Sequence, residues 1–543
     1  MINFDNVSIT YADTTTPVLQ RTNLTVPEGD LCLVIGATGS GKSTLLKAIN
    51  GLVPHFTGGT LQGRITVNGR DTATHRPRDL ADVVGYVAQD PLSGFVTDSV
   101  EEELAYTMES LGVPPSVMRQ RVEEVLDLLA LSHLRNRAPR TLSGGERQRV
   151  AIGSVLTAHP RVIVLDEPTS ALDPGAAEEV LAALQRLVHD LGLTIVLAEH
   201  RLERVLEFAD SMIYLPGSGS PARIGSPEEI MDSSPIAPAV VRLARLAGWS
   251  PLPLSVRDAR RHAQSLREEI ALAPSSAAAG LPLQQERSID VVDAEVRYGG
   301  TTAIAHVNLS ASPSEVLAIM GRNGAGKSSL LGALAGARRL SQGSVRIDGV
   351  PPQSLRGQQL VRSVGMVPQE PMDLLTYTSV ERECAQADND AGVTHGHTAQ
   401  LLALFAPEVS AHDHPRDLSE GQRLALALAI VLAGKPRVIV LDEPTRGLDY
   451  AMKTRLASHL RVLATAGHTV VLATHDVELV ADVATRVVVL AEGLVVADGG
   501  VAEIVLASPI FAPQVAKVLA HGGLAEKGIP LTPESVADIL VAR

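Results

Sequence analysis

Two α/β domains in tandem, each with a parallel sheet covered by helices on both faces, are what the sequence predicts. Three observations point there. The chain has 543 residues, too long for one ordinary core. A set of motifs recurs in the same order in both halves. Within each half, short β-branched apolar runs alternate with helical patterns, as in sheets buried on both faces.

The repeat fixes the order of elements. GATGSGKST at Gly36–Thr44 returns as GRNGAGKSS at Gly321–Ser329, and VIVLDEPT at Val162–Thr169 returns unchanged at Val438–Thr445. Each half opens β-rich and passes through strand–loop–helix at the GKS motif. A largely helical middle follows, then a strand ending in LDEPT, another helix, and a final apolar strand (TIVLAEH, TVVLATH). APSSAAAGLP, Ala273–Pro282, is small, Pro-bounded and aperiodic, and reads as a flexible linker. LPLSVRDAR at Leu252–Arg260 resembles IPLTPESVA at Ile529–Ala537, so each repeat is expected to end in its own helical extension. The expected division is a first domain at 1–250, extension and linker at 251–287, a second domain at 288–510 and a terminal extension at 511–543.

Composition excludes several functions. The formal net charge is -14 and aromatics are 3%, which argues against a basic nucleic-acid face or a base-stacking platform. Cys32 and Cys384 stand alone, so neither a zinc site nor a disulfide framework is expected, and a reducing cytoplasm is the natural home. The opening MINFDNVSIT carries no secretory pattern. The longest apolar run, Leu424–Ala433, falls well short of the roughly 20 residues that span a bilayer, so membrane association is expected only through a partner.

The glycine-rich loops carry the first chemistry. Gly36, Gly39 and Gly41, and likewise Gly321, Gly324 and Gly326, let backbone N–H groups turn inward around phosphates, with the N-terminus of the following helix behind them. Lys42 and Lys327 would reach the outer phosphates. Ser43 and Ser328, followed by Thr44 and Ser329, would bind Mg²⁺ through their hydroxyls. Each loop follows an apolar strand, Leu31–Ile35 or Val316–Met320, which makes chance remote. At the ends of the LDEPT strands, Asp166 and Asp442 would hold Mg²⁺, while Glu167 and Glu443 would polarise the attacking water. A solvated strand end is the plain alternative, but the same pentad in both halves disfavours it.

Ser143-Gly144-Gly145-Glu146-Arg147-Gln148, preceded by Leu142, resembles the signature motif of ATP-binding-cassette proteins. That resemblance implies P-loop NTPase cassettes, each with an antiparallel β subdomain and a helical signature subdomain. It also implies that each signature meets the γ-phosphate held by the other cassette, so the two cassettes would pair within the chain. Gln89 (YVAQDP) and Gln369 (MVPQEP) match the Q-loops, whose glutamines also approach the metal. Ser170–Asp173 and Arg446–Asp449 match the D-loops. His200 and His475 match the switch histidines, and Tyr11 and Tyr298 match the aromatic that stacks on adenine. A lone histidine or a strand-end tyrosine is more often structural; here each recurs at the same place in the motif order. The second signature reads Leu418-Ser419-Glu420-Gly421-Gln422. A carboxylate at Glu420 would be repelled by a γ-phosphate, or would turn to solvent.

The first half further resembles the ATPases of energy-coupling-factor importers. Gly51–Gly69 (GLVPHFTGGTLQGRITVNG), Gly94–Pro114 (GFVTDSVEEELAYTMESLGVP) and the two C-terminal extensions carry that likeness. It implies an ATPase, with ATP and Mg²⁺ as cofactors, on the cytoplasmic face of the membrane. Its partners would be a membrane coupling protein and a small membrane protein that binds a vitamin or metal ion. Carboxylates after each Q-loop, Asp98 with Glu101, Glu102 and Glu103, and Glu381 with Glu383, would receive arginines of the coupling protein; a solvated helix face is the alternative. A tandem sugar-importer ATPase is the nearest competing reading. Such proteins generally carry a more degraded second domain than Lys327, Ser328, Asp442, Glu443 and His475 represent.

Overall fold

A computed structural model describes residues 1–12, 16–170, 172–217, 219–272, 286–509, 511–520 and 528–541. The proposed linker lies outside the described residues. The chain forms two compact units, Met1–Ser255 and Val256–Arg543.

In the first unit, β1 (Ile2–Thr10) and β2 (Leu19–Val26) alternate buried and exposed side chains, as a half-buried antiparallel pair must. β3 (Leu31–Gly36) is buried along its whole length and leads through the phosphate loop into α1 (Lys42–Ile49). β4 (Thr60–Val67) and the short β5 (Arg70–Asp71) complete an antiparallel sheet of order β2-β1-β4-β5. A second sheet uses β3 with β6 (Val84–Val87), β7 (Val162–Asp166), β8 (Thr194–Ala198), β9 (Ser211–Leu215) and β10 (Arg223–Gly225), in the order β10-β9-β3-β8-β7-β6. Every pair in it is parallel except β9–β10. Ile2, Phe4 and Ile65 of the antiparallel sheet, Leu45, Leu46 and Ile49 of α1, and Val34, Val164 and Val196 of the parallel sheet share one core. Each such buried side chain contributes roughly 1.5–3 kcal/mol. The phosphate loop is thereby fixed at both ends by packed elements.

Between β6 and β7 lie α2 (Val100–Ser110), α3 (Pro115–Leu128) and α4 (Gly144–Leu156), a helical subdomain. Gly153 on α4 lets Leu104 and Val125 approach so closely that a Cβ there would stand 2.8 and 3.0 Å from them. Ser143 caps α4, accepting from the Glu146 N–H while the Glu146 carboxylate accepts from the Ser143 N–H at 2.7 Å. α5 (Pro174–Leu191) follows, with Asp173 as its N-cap and Gly192 in the left-handed conformation at its end.

The second unit begins with α6 (Val256–His262) and α7 (Gln264–Leu272). Its antiparallel sheet joins β11 (Ile289–Tyr298), β12 (Thr301–Ala311) and β14 (Gln342–Ile347), in the order β12-β11-β14. β13 (Val316–Met320) enters the second phosphate loop and α8 (Lys327–Leu334). β13 lies in a sheet with β15 (Val364–Val367), β16 (Val438–Asp442), β17 (Thr469–Ala473), β18 (Arg486–Ala491) and β19 (Leu494–Gly500), ordered β15-β16-β17-β13-β18-β19. Its helical subdomain comprises α9 (Val380–Ala391), α10 (His397–Phe405) and α11 (Glu420–Ala433). α12 (Tyr450–Thr465) follows β16. The long apolar run of the sequence is α11, buried by this subdomain and the sheet.

The extension read as the first repeat's own belongs to the second unit. α6 and α7 pack there against α13 (Gln514–Leu519) and α14 (Pro533–Val541). Arg260 and Arg267 donate to the carbonyls of Lys517 and Val518, at 2.7 and 2.6 Å. Among the described residues, no helix is long and apolar enough to cross a membrane.

Candidate active site: two phosphate loops beside buried carboxylates

Each phosphate loop is shaped by glycine. Gly41 and Gly326, at φ 99° and 101°, stand at the N-caps of α1 and α8, a conformation costly to any residue with a Cβ. At Gly326 the added Cβ would also overlap the Ala303 carbonyl. The lysines close the loops on themselves: Lys42 Nζ donates to the Gly36 and Ala37 carbonyls at 2.9 and 3.2 Å, and Lys327 Nζ to Gly321 and Arg322 at 2.8 and 3.3 Å. Both ammonium groups are buried at the mouth of the loop, positioned to exchange carbonyls for phosphate oxygens.

Tyr11 and Tyr298 reach the same point in each unit. Tyr11 Oη is 3.2 Å from Thr44 Oγ1, and Tyr298 Oη is 3.4 Å from Ser329 Oγ. The Arg338 guanidinium lies 5.6 Å from the centre of the Tyr298 ring. Each ring is thus held beside the start of the loop helix.

Asp166 and Asp442 end β7 and β16 and are almost fully buried. Ser43 hydrogen-bonds to Asp166, and Ser328 to Asp442. Burial raises both carboxyls above the usual aspartate range despite those bonds, and the neighbouring Glu167 or Glu443 raises them further. One oxygen of each, Oδ1, is buried without a hydrogen-bond partner. An orphaned carboxylate oxygen beside a serine hydroxyl and a phosphate loop fits a divalent cation accompanying a nucleotide.

Glu167 and Glu443 have positive φ, 51° and 48°, which is uncommon for glutamate and stores roughly 1 kcal/mol or more. The Glu167 carboxylate lies 2.7 Å from His200 Nε2 and accepts from Gln89 Nε2 at 3.1 Å. The Glu443 carboxylate lies 2.8 Å from His475 Nδ1 and 3.6 Å from Lys327 Nζ, and accepts from the His475 N–H at 3.4 Å. Burial pushes Glu443 up, but the hydrogen bond and charge of His475, with Lys327, outweigh it and hold the carboxyl below its ordinary range. In the first unit the fold therefore brings the Q-loop, acidic strand end and switch residues together. In the second, Gln369 lines the same cleft as Asp442, Glu443 and Glu420.

The signature residues sit at helix starts. Ser143 and Ser419 are the N-caps of α4 and α11; Gly145 packs on Ala176, and Gly421 on Met452. Glu420, exposed overall, turns its carboxylate over Gly447 of the D-loop in its own unit, where an added Cβ would overlap it. At the corresponding sequence positions the first repeat has Gly144 and Ala171. Gly447→Ala is therefore expected to destabilise the second unit, through both the clash and its φ of 67°, by about 1 kcal/mol or more. Adding Glu420→Gly should recover part of that loss. Denaturation of the full chain checks both; equal stability of Gly447→Ala and parent would remove the packing argument.

Two of the acidic residues after the Q-loops serve the fold. Glu103 accepts from the Val96 and Thr97 N–H groups and the Thr97 hydroxyl, each at 2.9 Å, and Glu383 accepts from the Tyr377 N–H at 2.5 Å. Both are buried, so they shape the loop and cannot meet a partner; Asp98, Glu102 and Glu381 are exposed. Sequence reasoning also passed over Glu199, which is 2% exposed and adjoins His200. The one signal was the difference between AEH and ATH in the two repeats.

The ABC transporter family model matches residues 19–170 and 304–446. A Streptomyces avermitilis protein, provisionally named an ABC transporter ATP-binding protein, is 58% identical over 96% of this chain and 97% of its own. A Methanosarcina mazei protein with the same provisional name is 35% identical over 93% and 90%. A solved model of ribosome-bound archaeal Pelota and ABCE1 aligns with 92% of this chain and 79% of that chain at TM-score 0.62 and 20% identity, a likeness of fold. The duplicated phosphate loops, acidic strand ends and signature helices have their explanation in the family model and the two relatives: the chain belongs to the ABC transporter family, as an ATP-binding protein with two ATPase cassettes.

Proposed function

We propose that this chain is the energy-coupling ATPase of an energy-coupling-factor type importer, driving uptake of a vitamin or metal ion through membrane partners. The observation that carries the proposal is the exposed loop after Gln89. The loop presents Val96 and Asp98 to solvent beside Glu102 of the first turn of α2, while the buried Glu103 fixes the loop backbone. That loop lies within Gly94–Pro114, one of the stretches that resemble the importer ATPases. In the second cassette, Gln369, Glu370, Asp373 and Arg338 line an open cleft that also reaches Ser328 and Asp442, so a partner seated there would bear on the nucleotide site.

In the proposed mechanism the loop amides, with Lys42 or Lys327, bind the phosphates of ATP. Ser43 with Asp166, and Ser328 with Asp442, would hold Mg²⁺ beside Gln89 and Gln369, and the bound cation would supply neutralisation of phosphate charge. Tyr11 and Tyr298 pack on adenine. Ser143, Gly144 and Gly145, and Ser419 and Gly421, present backbone amides and a hydroxyl to a γ-phosphate. Glu167 and Glu443 orient water, and His200 and His475 hold those carboxylates in place.

Docking on the membrane partners is tested by charge reversal at Asp98 and Glu102 together. Co-purification with the membrane proteins should fall at least tenfold, while the ATPase rate of the isolated chain stays within about twofold. Unchanged assembly and transport would leave these carboxylates as a solvated face and overturn the docking site.

A further inference from the structure

We propose that Glu199 is a positioning residue of the first ATP site: it takes over the hydrogen bond that holds the switch loop, leaving Glu167 to engage Gln89. Glu199 follows β8 and is buried. Its Oε1 accepts from the Thr169 N–H at 2.8 Å, on the loop two residues beyond Glu167. Its Oε2 accepts from the His200 N–H at 3.2 Å. One carboxylate thus ties the acidic strand end to the switch backbone. Burial raises its carboxyl above the usual glutamate range, and the hydrogen bonds from Thr169 oppose that only in part.

The second repeat shows the consequence of doing without this residue. Thr474 stands in its place and turns its hydroxyl to the Asp476 N–H at 3.0 Å. The His475 N–H then goes to Glu443 itself, and the other Glu443 oxygen faces Lys327. One Glu443 oxygen, Oε2, thus meets both the ring and the N–H of His475, while Oε1 stands 3.6 Å from Lys327 Nζ without a hydrogen-bond partner. In the first repeat Glu199 has accepted the His200 N–H, so one Glu167 oxygen meets the His200 ring and the other meets Gln89. Gln89 begins the loop that leads to α2 and the helical subdomain. The two sites therefore differ in wiring: displacement of the Q-loop pulls directly on the hydrolytic carboxylate of the first site only. The source of the inequality is a residue beside the histidine, independent of the signature substitution at Glu420.

The test is a double-mutant cycle between Glu199→Thr, the second repeat's own choice, and Gln89→Ala, read as steady-state ATPase of the full chain. In the parent, Gln89→Ala is expected to lower kcat about tenfold. In the Glu199→Thr background the same change should cost less than about twofold, because Glu167 has already turned to the His200 N–H, while KM for ATP stays within about twofold. A purely structural Glu199 would lower melting temperature and leave the Gln89→Ala factor undiminished; that result overturns the proposal. Should Glu199→Thr fail to fold, Glu199→Gln preserves volume and carries the same comparison. A Gln89→Ala factor reduced from the parent's supports the proposal, and a factor equal to the parent's overturns it.

Discussion

Replacing both Glu167 and Glu443 by glutamine should leave ATP affinity within about threefold of the parent and lower turnover by at least ~10²-fold, the scale a positioned general base supplies. The two outcomes separate because the proposed mechanism assigns the nucleotide and the water to different groups. Lys42 and Lys327 donate to carbonyls of their own phosphate loops, and Gly41 and Gly326 set the loops' turns, so the loops keep their shape when the glutamates are replaced. Glutamine preserves volume and one acceptor oxygen, so the strained backbone at φ 51° and 48° persists. What it loses is the second acceptor and the negative charge. At Glu443 the carboxylate is held deprotonated by His475 and Lys327, which suits a group that must attract a proton from water. Because its pKa is depressed on folding, Glu443 contributes stability above its unfolded pKa that is lost as pH falls through the folded value. Single variants should differ: Glu167→Gln disturbs a bond to the Q-loop, whereas Glu443→Gln disturbs bonds to the switch and phosphate loops. Fluorescent-nucleotide binding and steady-state hydrolysis measure the two effects; full activity in the double variant would exclude both glutamates from the chemistry.

The fold and most of the site were legible because they rest on short-range chemistry. A phosphate loop needs glycines and a lysine at set spacing, and a strand buried on both faces needs a continuous apolar run; both are written locally, twice. The pairing of Glu167 with Gln89 and His200 joins residues far apart in sequence but at fixed places in the motif order, so the resemblance reached it. Glu103 and Glu383 were misread because an acidic cluster gives no sign of which carboxylate turns inward. Only the fold brings the Thr97 and Tyr377 backbones to them. The fate of Glu420 depended on Gly447, a partner whose meaning is the absence of a side chain. α6 and α7 have the same motif as the terminal extension, but sequence order alone assigns them to the wrong unit. Packing against α13 and α14 is long-range and depends on which apolar face finds a complement.

Asp166→Asn and Asp442→Asn should move stability and function in opposite directions. Each aspartate is buried, and burial disfavours its charge, so the chain without nucleotide carries these carboxylates at a cost. Their raised pKa values mean that the folded state binds more protons than the unfolded one just above the ordinary carboxylate range. The contribution of these two groups to stability therefore improves as pH falls into that window, the reverse of the Glu443 dependence. Asparagine removes the charge at nearly constant volume and can still accept from Ser43 or Ser328. The nucleotide-free chain should gain on the order of 1 kcal/mol per cassette, about 2–4 °C in melting temperature for a unit of this size, and lose that part of its pH dependence. With Mg²⁺ and ATP the order inverts. A ligand present at a hundred times its Kd stabilises the parent by about 2.7 kcal/mol, and this gain should largely vanish in the double variant, because the oxygen left unpartnered in each aspartate has become a neutral amide atom. Tyr86 hydrogen-bonds to Asp166, whereas Met366 occupies its place in the second repeat, so the nucleotide-free gain should be smaller for Asp166→Asn than for Asp442→Asn. Melting curves with and without Mg²⁺–ATP decide the matter. A nucleotide-free chain that loses stability on both substitutions would show that the carboxylates are structural acceptors, and undiminished stabilisation by Mg²⁺–ATP would remove them from the metal site.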